Sequence, residues 1–241
     1  MLKDLLDLKK AGAFGIKLEF ESEYIEDKKA FEFAELIHRT DLNLCIKLGG
    51  AASIQDLRTG KKLCANSIVA PMIESSYAVE KFLETVESVY GNEYPELFIN
   101  IETKTAFENI EEIIESAKNK ISGIVLGRSD LKNSLNIENP NDEKILNYCN
   151  TLSDICKKNN KKFVIGGKIN SNAINFLNKI QGISYVETRK VIYNINDLNE
   201  NNLKLALEFE LKTLKSKNTN FSEDTSRIKF IENSLKSEIL K

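Results

Sequence analysis

Short apolar runs rich in β-branched residues alternate with longer stretches of helical period along almost the whole chain. The runs fall at residues 14–20, 44–48, 67–72, 97–101, 123–126, 163–165 and, in part, 185–193. Between them, apolar positions recur every three or four residues over 28–39, 53–63, 76–90, 105–119, 143–159 and 171–180. Strands with so few polar positions are covered on both faces, and helices between them are the crossovers that parallel pairing needs. The pattern therefore predicts repeated βα units, about seven strands and a parallel α/β fold.

Helix starts are readable in places. Thr105 through Glu108 fits a capping box, so the spacing predicts a helix opening just after Glu102. From residue 200 the pattern changes to an apolar stripe, Leu203, Leu205, Ala206, Leu207, Phe209, Leu211 and Leu214, followed by a polar stretch and a last helix at 224–240. These helices are expected to cover the core or to pack between subunits. A chain of 241 residues with 41% hydrophobic content suits one large core. The expectation is a single domain over 1–241, with 200–241 as a helical extension.

Charge narrows the partners. Thirty-four basic and 36 acidic residues leave a net charge of -2, so no general field recruits nucleic acid or an anionic membrane. Cys45, Cys64, Cys149 and Cys156 form no CxxC pair, which suits reduced thiols in a cytoplasmic protein. Charges interrupt the opening helical stretch at 1–10, which reads neither as a secretion signal nor as a membrane span.

In parallel barrels, chemistry gathers where strands end and βα loops begin. The first run places Lys17, Glu19 and Glu21 on one face. The second carries Lys47 before Gly49 and Gly50, the third ends at Glu74, and the fourth ends in Glu102 and Thr103. The fifth closes with Gly127, Arg128, Ser129 and Asp130, the sixth with Gly166, Gly167 and Lys168, and the seventh contains Glu187 through Lys190. Any one such charge is usually a solvated loop side chain. Charges at seven successive ends indicate a site.

The stretch from Phe98 to Ile110, with its strand ending in Glu102 and Thr103, and the stretch from Ile121 to Leu131, ending Gly-x-x-Asp-Leu, together resemble the paired signature of the HpcH/HpaI aldolase and citrate lyase beta-chain family. Val69 through Glu74 resembles that family's preceding strand, and the likeness runs in order over residues 5–190. It implies a TIM-type (β/α) barrel. It also implies a carbon–carbon lyase, an aldolase or citrate-lyase-like enzyme, working through a pyruvate-type enolate on a 2-oxo acid or an acyl thioester. Glu102 and Asp130 would hold Mg²⁺ or Mn²⁺ as hard oxygen ligands, and the ion would act as a Lewis acid.

The departures from that pattern are specific. Lys47 stands where the aldolases carry an enolate-stabilising Arg, keeping the charge without the planar fork. The position of their general-base His falls at Ser22, and the one histidine, His38, lies in a helix and reads as structural or surface. Glu21 or Glu19 is the candidate acid or base beside Lys47. Lys17, Gly127, Arg128, Gly166 and Lys168 are candidate substrate contacts, with Arg128 suited either to a substrate carboxylate or phosphate or to an ordinary salt bridge. The family's first strand would precede the opening helix, so the barrel reads as one strand short; either residues 190–196 close it or the C-terminal helices cover the gap.

Two other functions compete with the metal lyase. One makes Lys47, Lys17 or Lys168 a Schiff-base nucleophile. The other is a non-catalytic or partner-dependent acid-binding subunit, for which both metal ligands would be superfluous. Homo-oligomerisation is implied by the resemblance.

Overall fold

The computed structural model describes residues 1–20, 27–117, 119–216 and 222–239. The described residues form a closed barrel in which each strand pairs with the next in sequence order. The strands are β1 (Ala13–Glu19), β2 (Asn43–Lys47), β3 (Ser67–Ala70), β4 (Glu96–Asn100), β5 (Gly123–Gly127), β6 (Lys162–Gly166), β7 (Tyr185–Glu187) and β8 (Val191–Asn194). The helices are α1 (Leu2–Lys10), α2 (Asp27–His38), α3 (Ile54–Lys62), α4 (Ser76–Tyr90), α5 (Lys104–Glu108), α6 (Ile110–Ala117), α7 (Arg128–Ser134), α8 (Glu143–Lys158), α9 (Ile174–Leu177), α10 (Glu200–Lys215) and α11 (Ser222–Ile239). The barrel matches the expected TIM-type architecture, and no described helix is long and apolar enough to cross a membrane.

Closure follows the first of the two routes left open by the sequence. The run at 185–193 is two strands, which makes eight rather than seven. Thr188 to Lys190 reverse the chain: Thr188 N donates to Val191 O at 2.9 Å, and Thr188 Oγ1 accepts from Val191 N at 3.0 Å. β8 then runs antiparallel to both β7 and β1, so its edge groups and those of β1 are satisfied. The turn contains neither Gly nor Pro, which is why the apolar pattern read as one interrupted run.

Side chains divide by strand alternation into two packed layers. Ile16, Leu44, Ile68, Leu97, Ile124 and Ile165 point outward into the main core beneath the helices. Cys45, Val69, Phe98, Val125, Val164 and Ile192 fill the barrel interior, with Phe14 and Tyr185 against them. A register shift between Ala13 and Gly15 turns Phe14 to the same inner face as Lys17, three residues later. This apolar plug closes the lower barrel, leaving the charged ends of the strands to line the upper mouth.

Three local expectations change. The helix expected at 105–119 breaks at Asn109, whose Nδ2 donates to Glu74 O at 2.8 Å, and it becomes α5 and α6. Its N-cap is Thr103, not Thr105: Thr103 Oγ1 accepts from Ala106 N at 3.2 Å. The helix expected at 171–180 shrinks to a 3₁₀ turn, Ser171–Ala173, and the short α9. Past the barrel, Leu203, Ala206 and Phe209 of α10 join the main core, while Leu207, Leu214 and Ile231 form a second cluster that seats α11 on α10.

Candidate active site

A cavity of about 550 Å³ opens at the carboxyl ends of the strands. The sequence-predicted residues Lys17, Glu19, Lys47, Glu102, Gly127, Asp130, Gly166 and Lys168 all line it. Arg128 does not, and Glu21 lies outside the described residues. His38 sits at the far end of α2, where its Nε2 lies 2.9 Å from Leu63 O at the C-terminal end of α3. That is the opposite end of the barrel from the cavity.

Glu102 follows β4 and is 2% exposed. Its Oε1 accepts from Met72 N at 3.1 Å and its Oε2 from Asn100 Nδ2 at 2.9 Å. Met72 takes a left-handed backbone conformation, φ 46°, which turns that N–H toward the carboxylate. Gly127, at the end of β5, leaves the space beside Glu102 open, because a Cβ there would overlap Glu102 Oε2. Asp130 rises from the first turn of α7 one strand along and is exposed.

These residues suit a hard divalent cation. The donors are carboxylate oxygens from neighbouring βα loops, and Asn100 Oδ1 is buried beside them without a hydrogen-bond partner among the described residues. Among the described residues no group of three or more His, Cys, Asp or Glu gathers, so an ion held here would need water or substrate oxygens besides the two carboxylates.

The opposite wall is a network of charge. Lys17 Nζ donates to Glu187 Oε1 at 2.6 Å, both groups being buried. Burial alone would lower the Lys17 pKa, but the Glu187 and Glu19 carboxylates outweigh it and hold the amine above its ordinary value. Lys47 Nζ stands 3.5 Å from Glu19 Oε1, and Arg189 Nε donates to Glu19 Oε2 at 3.2 Å. Glu19 is thus held between two cations.

Arg128 has a different task. Its Nε donates to Gly166 O at 3.2 Å, its Nη2 to Gly167 O at 2.7 Å and its Nη1 to Asn141 Oδ1 at 2.7 Å, and its guanidinium lies 5.1 Å from the Phe176 ring centroid. It is fully buried, and that burial lowers its pKa to about 10, which leaves it charged at neutral pH. Its contacts fix the Gly166–Gly167 turn from behind the cavity. Gly167, at φ 85°, passes so close to the amides of Arg128 and Ser129 that a side chain would collide with them.

Of the other cavity residues, Ser129, Glu187, Thr188 and Arg189 stood out at their strand ends without a role, and Asn100 and Arg227 were not singled out at all. Asn100 and Glu187 alternate in phase with Glu102 and Tyr185, a signal that strand period alone could have supplied. Arg227 belongs to α11 and carries no such signal.

Comparison with known proteins relates the chain to one family and its barrel to solved structures. The family model described as HpcH/HpaI aldolase/citrate lyase matches residues 46–170. A solved HpcH/HpaI aldolase/citrate lyase family protein from Burkholderia cenocepacia J2315 superposes with a TM-score of 0.66 at 11% identity, covering 90% of this chain and 91% of that one. Citrate synthase SbnG gives 0.62 at 16% identity with 89% of each chain covered. An HpcH/HpaI aldolase from Desulfitobacterium hafniense DCB-2 gives 0.62 at 12% identity, covering 92% and 90%. At these identities the structural likeness shows the fold alone. No curated protein matches the sequence.

Proposed function

The chain belongs to the HpcH/HpaI aldolase/citrate lyase family, and we propose that its cavity makes or breaks a carbon–carbon bond next to the oxo group of a 2-oxo acid, with Mg²⁺ or Mn²⁺ held by Glu102 and Asp130. The observation that carries this reading is the pair of carboxylates at the ends of neighbouring strands, one buried and aimed by Met72 N and Asn100 Nδ2, the other exposed across the space that Gly127 leaves open. The ion would supply Lewis acidity toward the oxo acid.

The chain's own residues supply the remainder. Lys47, held at the barrel wall by Glu19, meets the negative charge that develops on the oxo oxygen as the bond breaks. Glu19 is the described carboxylate nearest that ammonium and takes or returns the proton at the reacting carbon or hydroxyl. Lys17 and Glu187 form the cavity floor and fix the electrostatic background without joining the proton transfer. Gly127 and Gly166, with the turn that Arg128 braces, keep the wall open for the substrate acid, while Lys168 stands at the rim.

A Schiff base at Lys17 is not favoured, because the amine that would attack must be unprotonated and Lys17 is held charged by two carboxylates. Deuterium incorporation into the methyl group of pyruvate, followed by proton NMR in D₂O with Mg²⁺ or Mn²⁺ added, tests the reading. Metal-dependent exchange that disappears in Glu102→Gln supports it; exchange that persists in EDTA overturns it.

A further inference from the structure

Arg227 reaches the cavity from α11, outside the barrel altogether. Its Nε and Nη2 form a two-point fork with the carboxylate of Glu210, with Nη2 at 2.9 Å from Oε2, and Glu210 on α10 is fully buried. The Phe230 ring lies 4.8 Å from its guanidinium carbon. A buried carboxylate and a ring thus hold the guanidinium in one orientation from behind. Its Nη1 amino group is left with no hydrogen-bond partner among the described residues, on a side chain that lines the cavity. An oriented guanidinium edge with free N–H groups is suited to a carboxylate or phosphate oxygen.

A second cation stands on the same rim. Lys168 follows the Gly167 turn in a left-handed conformation, φ 49°, and is exposed and without an ion-pair partner among the described residues. The deeper cations differ: Lys17 is matched by Glu187, and Lys47 and Arg189 share Glu19.

We propose that Arg227, oriented by Glu210 and assisted by Lys168, receives an anionic group on the fragment that joins or leaves the 2-oxo acid. The substrate class is then an acid whose second half carries its own carboxylate or phosphate, and a neutral aldehyde is a poor partner. This rests on the carbon–carbon lyase reading for its catalytic consequence, but the anion site itself is open to direct test.

The measurement has two parts. Calorimetric binding of succinate and of inorganic phosphate to the full chain is compared with Arg227→Gln. Because that change leaves the buried Glu210 carboxylate without its partner, the double variant Glu210→Gln with Arg227→Gln is measured alongside, with circular dichroism as the fold check. The second part is the ratio of kcat/KM for glyoxylate over acetaldehyde and for glyceraldehyde 3-phosphate over glyceraldehyde, with pyruvate as co-substrate.

Wild type should bind at least one anion, and the double variant should weaken it by about 10- to 100-fold, the range for a lost hydrogen bond to a charged group. The matching ratio should fall by the same factor, the first pair reporting a carboxylate and the second a phosphate. Binding of neither anion by wild type, or ratios unchanged in a folded double variant, overturns the proposal. Anion binding that depends on Arg227 in a protein with no aldol activity upholds the anion site and sinks the lyase reading instead.

Discussion

Gly127 and Glu102 occupy one shared space: a Cβ on Gly127 would overlap Glu102 Oε2 and stand 3.2 Å from Glu102 Cβ. The end of β5 is therefore shaped around the carboxylate that follows β4. Gly127→Ala is expected to push that carboxylate off Met72 N and Asn100 Nδ2. Overpacking of this kind costs about 1–3 kcal/mol. Thermal unfolding should drop by a few degrees, while calorimetric Mg²⁺ affinity with pyruvate present falls at least about tenfold. An alanine variant with wild-type metal affinity would show that the carboxylate has another way to sit.

Arg128 offers a test of bracing against substrate contact. Its three hydrogen bonds go to Gly166 O, Gly167 O and Asn141 Oδ1, and Arg128 itself does not line the cavity. Arg128→Lys loses the planar fork that spans two carbonyls. Each buried carbonyl left unsatisfied costs about 1–3 kcal/mol, so the expected result is a clear loss of thermal stability. A stable variant whose KM alone rises would instead assign Arg128 to the substrate.

The Lys17–Glu187 pair predicts a particular alkaline limb. Lys17 has a pKa raised in the folded chain, so its contribution to stability is fully present below the unfolded lysine value of about 10.4 and is lost as pH rises through the folded value. Denaturant unfolding of wild type should stay level on this account from neutral pH to about 10 and weaken above it. In Lys17→Met that added alkaline loss should be absent, on a baseline lowered by about 3–5 kcal/mol for the buried carboxylate left alone. Equal alkaline slopes in the two proteins would refute the assignment. Borohydride with pyruvate should trap no adduct at Lys17.

One hydroxyl of β8 adds a hydrogen bond to the packing of the C-terminal helices on the barrel. Tyr193, fully buried, donates to Asn202 O at 3.0 Å near the start of α10. Tyr193→Phe should cost about 1 kcal/mol, seen as a fall in Tm of about 2–4 °C in a protein of this size. No change would mean that the hydroxyl finds an equivalent partner.

How far the sequence reached depends on whether the signal was local. The seven runs became strands because buried parallel strands are short, apolar and flanked by amphipathic helices, all of which can be read within a few residues. The place of Glu102 and Asp130 at the cavity was legible because each ends a run and the pair is spaced one βα unit apart. β8 was legible only as one of two ways to close the barrel and not as a separate strand, since its reversal at Thr188–Lys190 is made by a threonine hydroxyl accepting from two backbone amides. Thr103 outcompeted Thr105 as the cap because Glu74, from a distant loop, accepts a 2.5 Å hydrogen bond from the same hydroxyl. Arg227 was invisible for a related reason. Its helix starts at Ser222, 28 residues past the end of β8 at Asn194, and its role depends on a fork with Glu210 that only tertiary packing creates.

The most direct test of the central claim is calorimetric titration of Mg²⁺ and Mn²⁺ into the protein with pyruvate or oxaloacetate present, for wild type, Glu102→Gln and Asp130→Asn. The account predicts binding by wild type that both variants lose by at least about tenfold each. Binding of equal strength in either variant, or none by wild type in the presence of either acid, would contradict it.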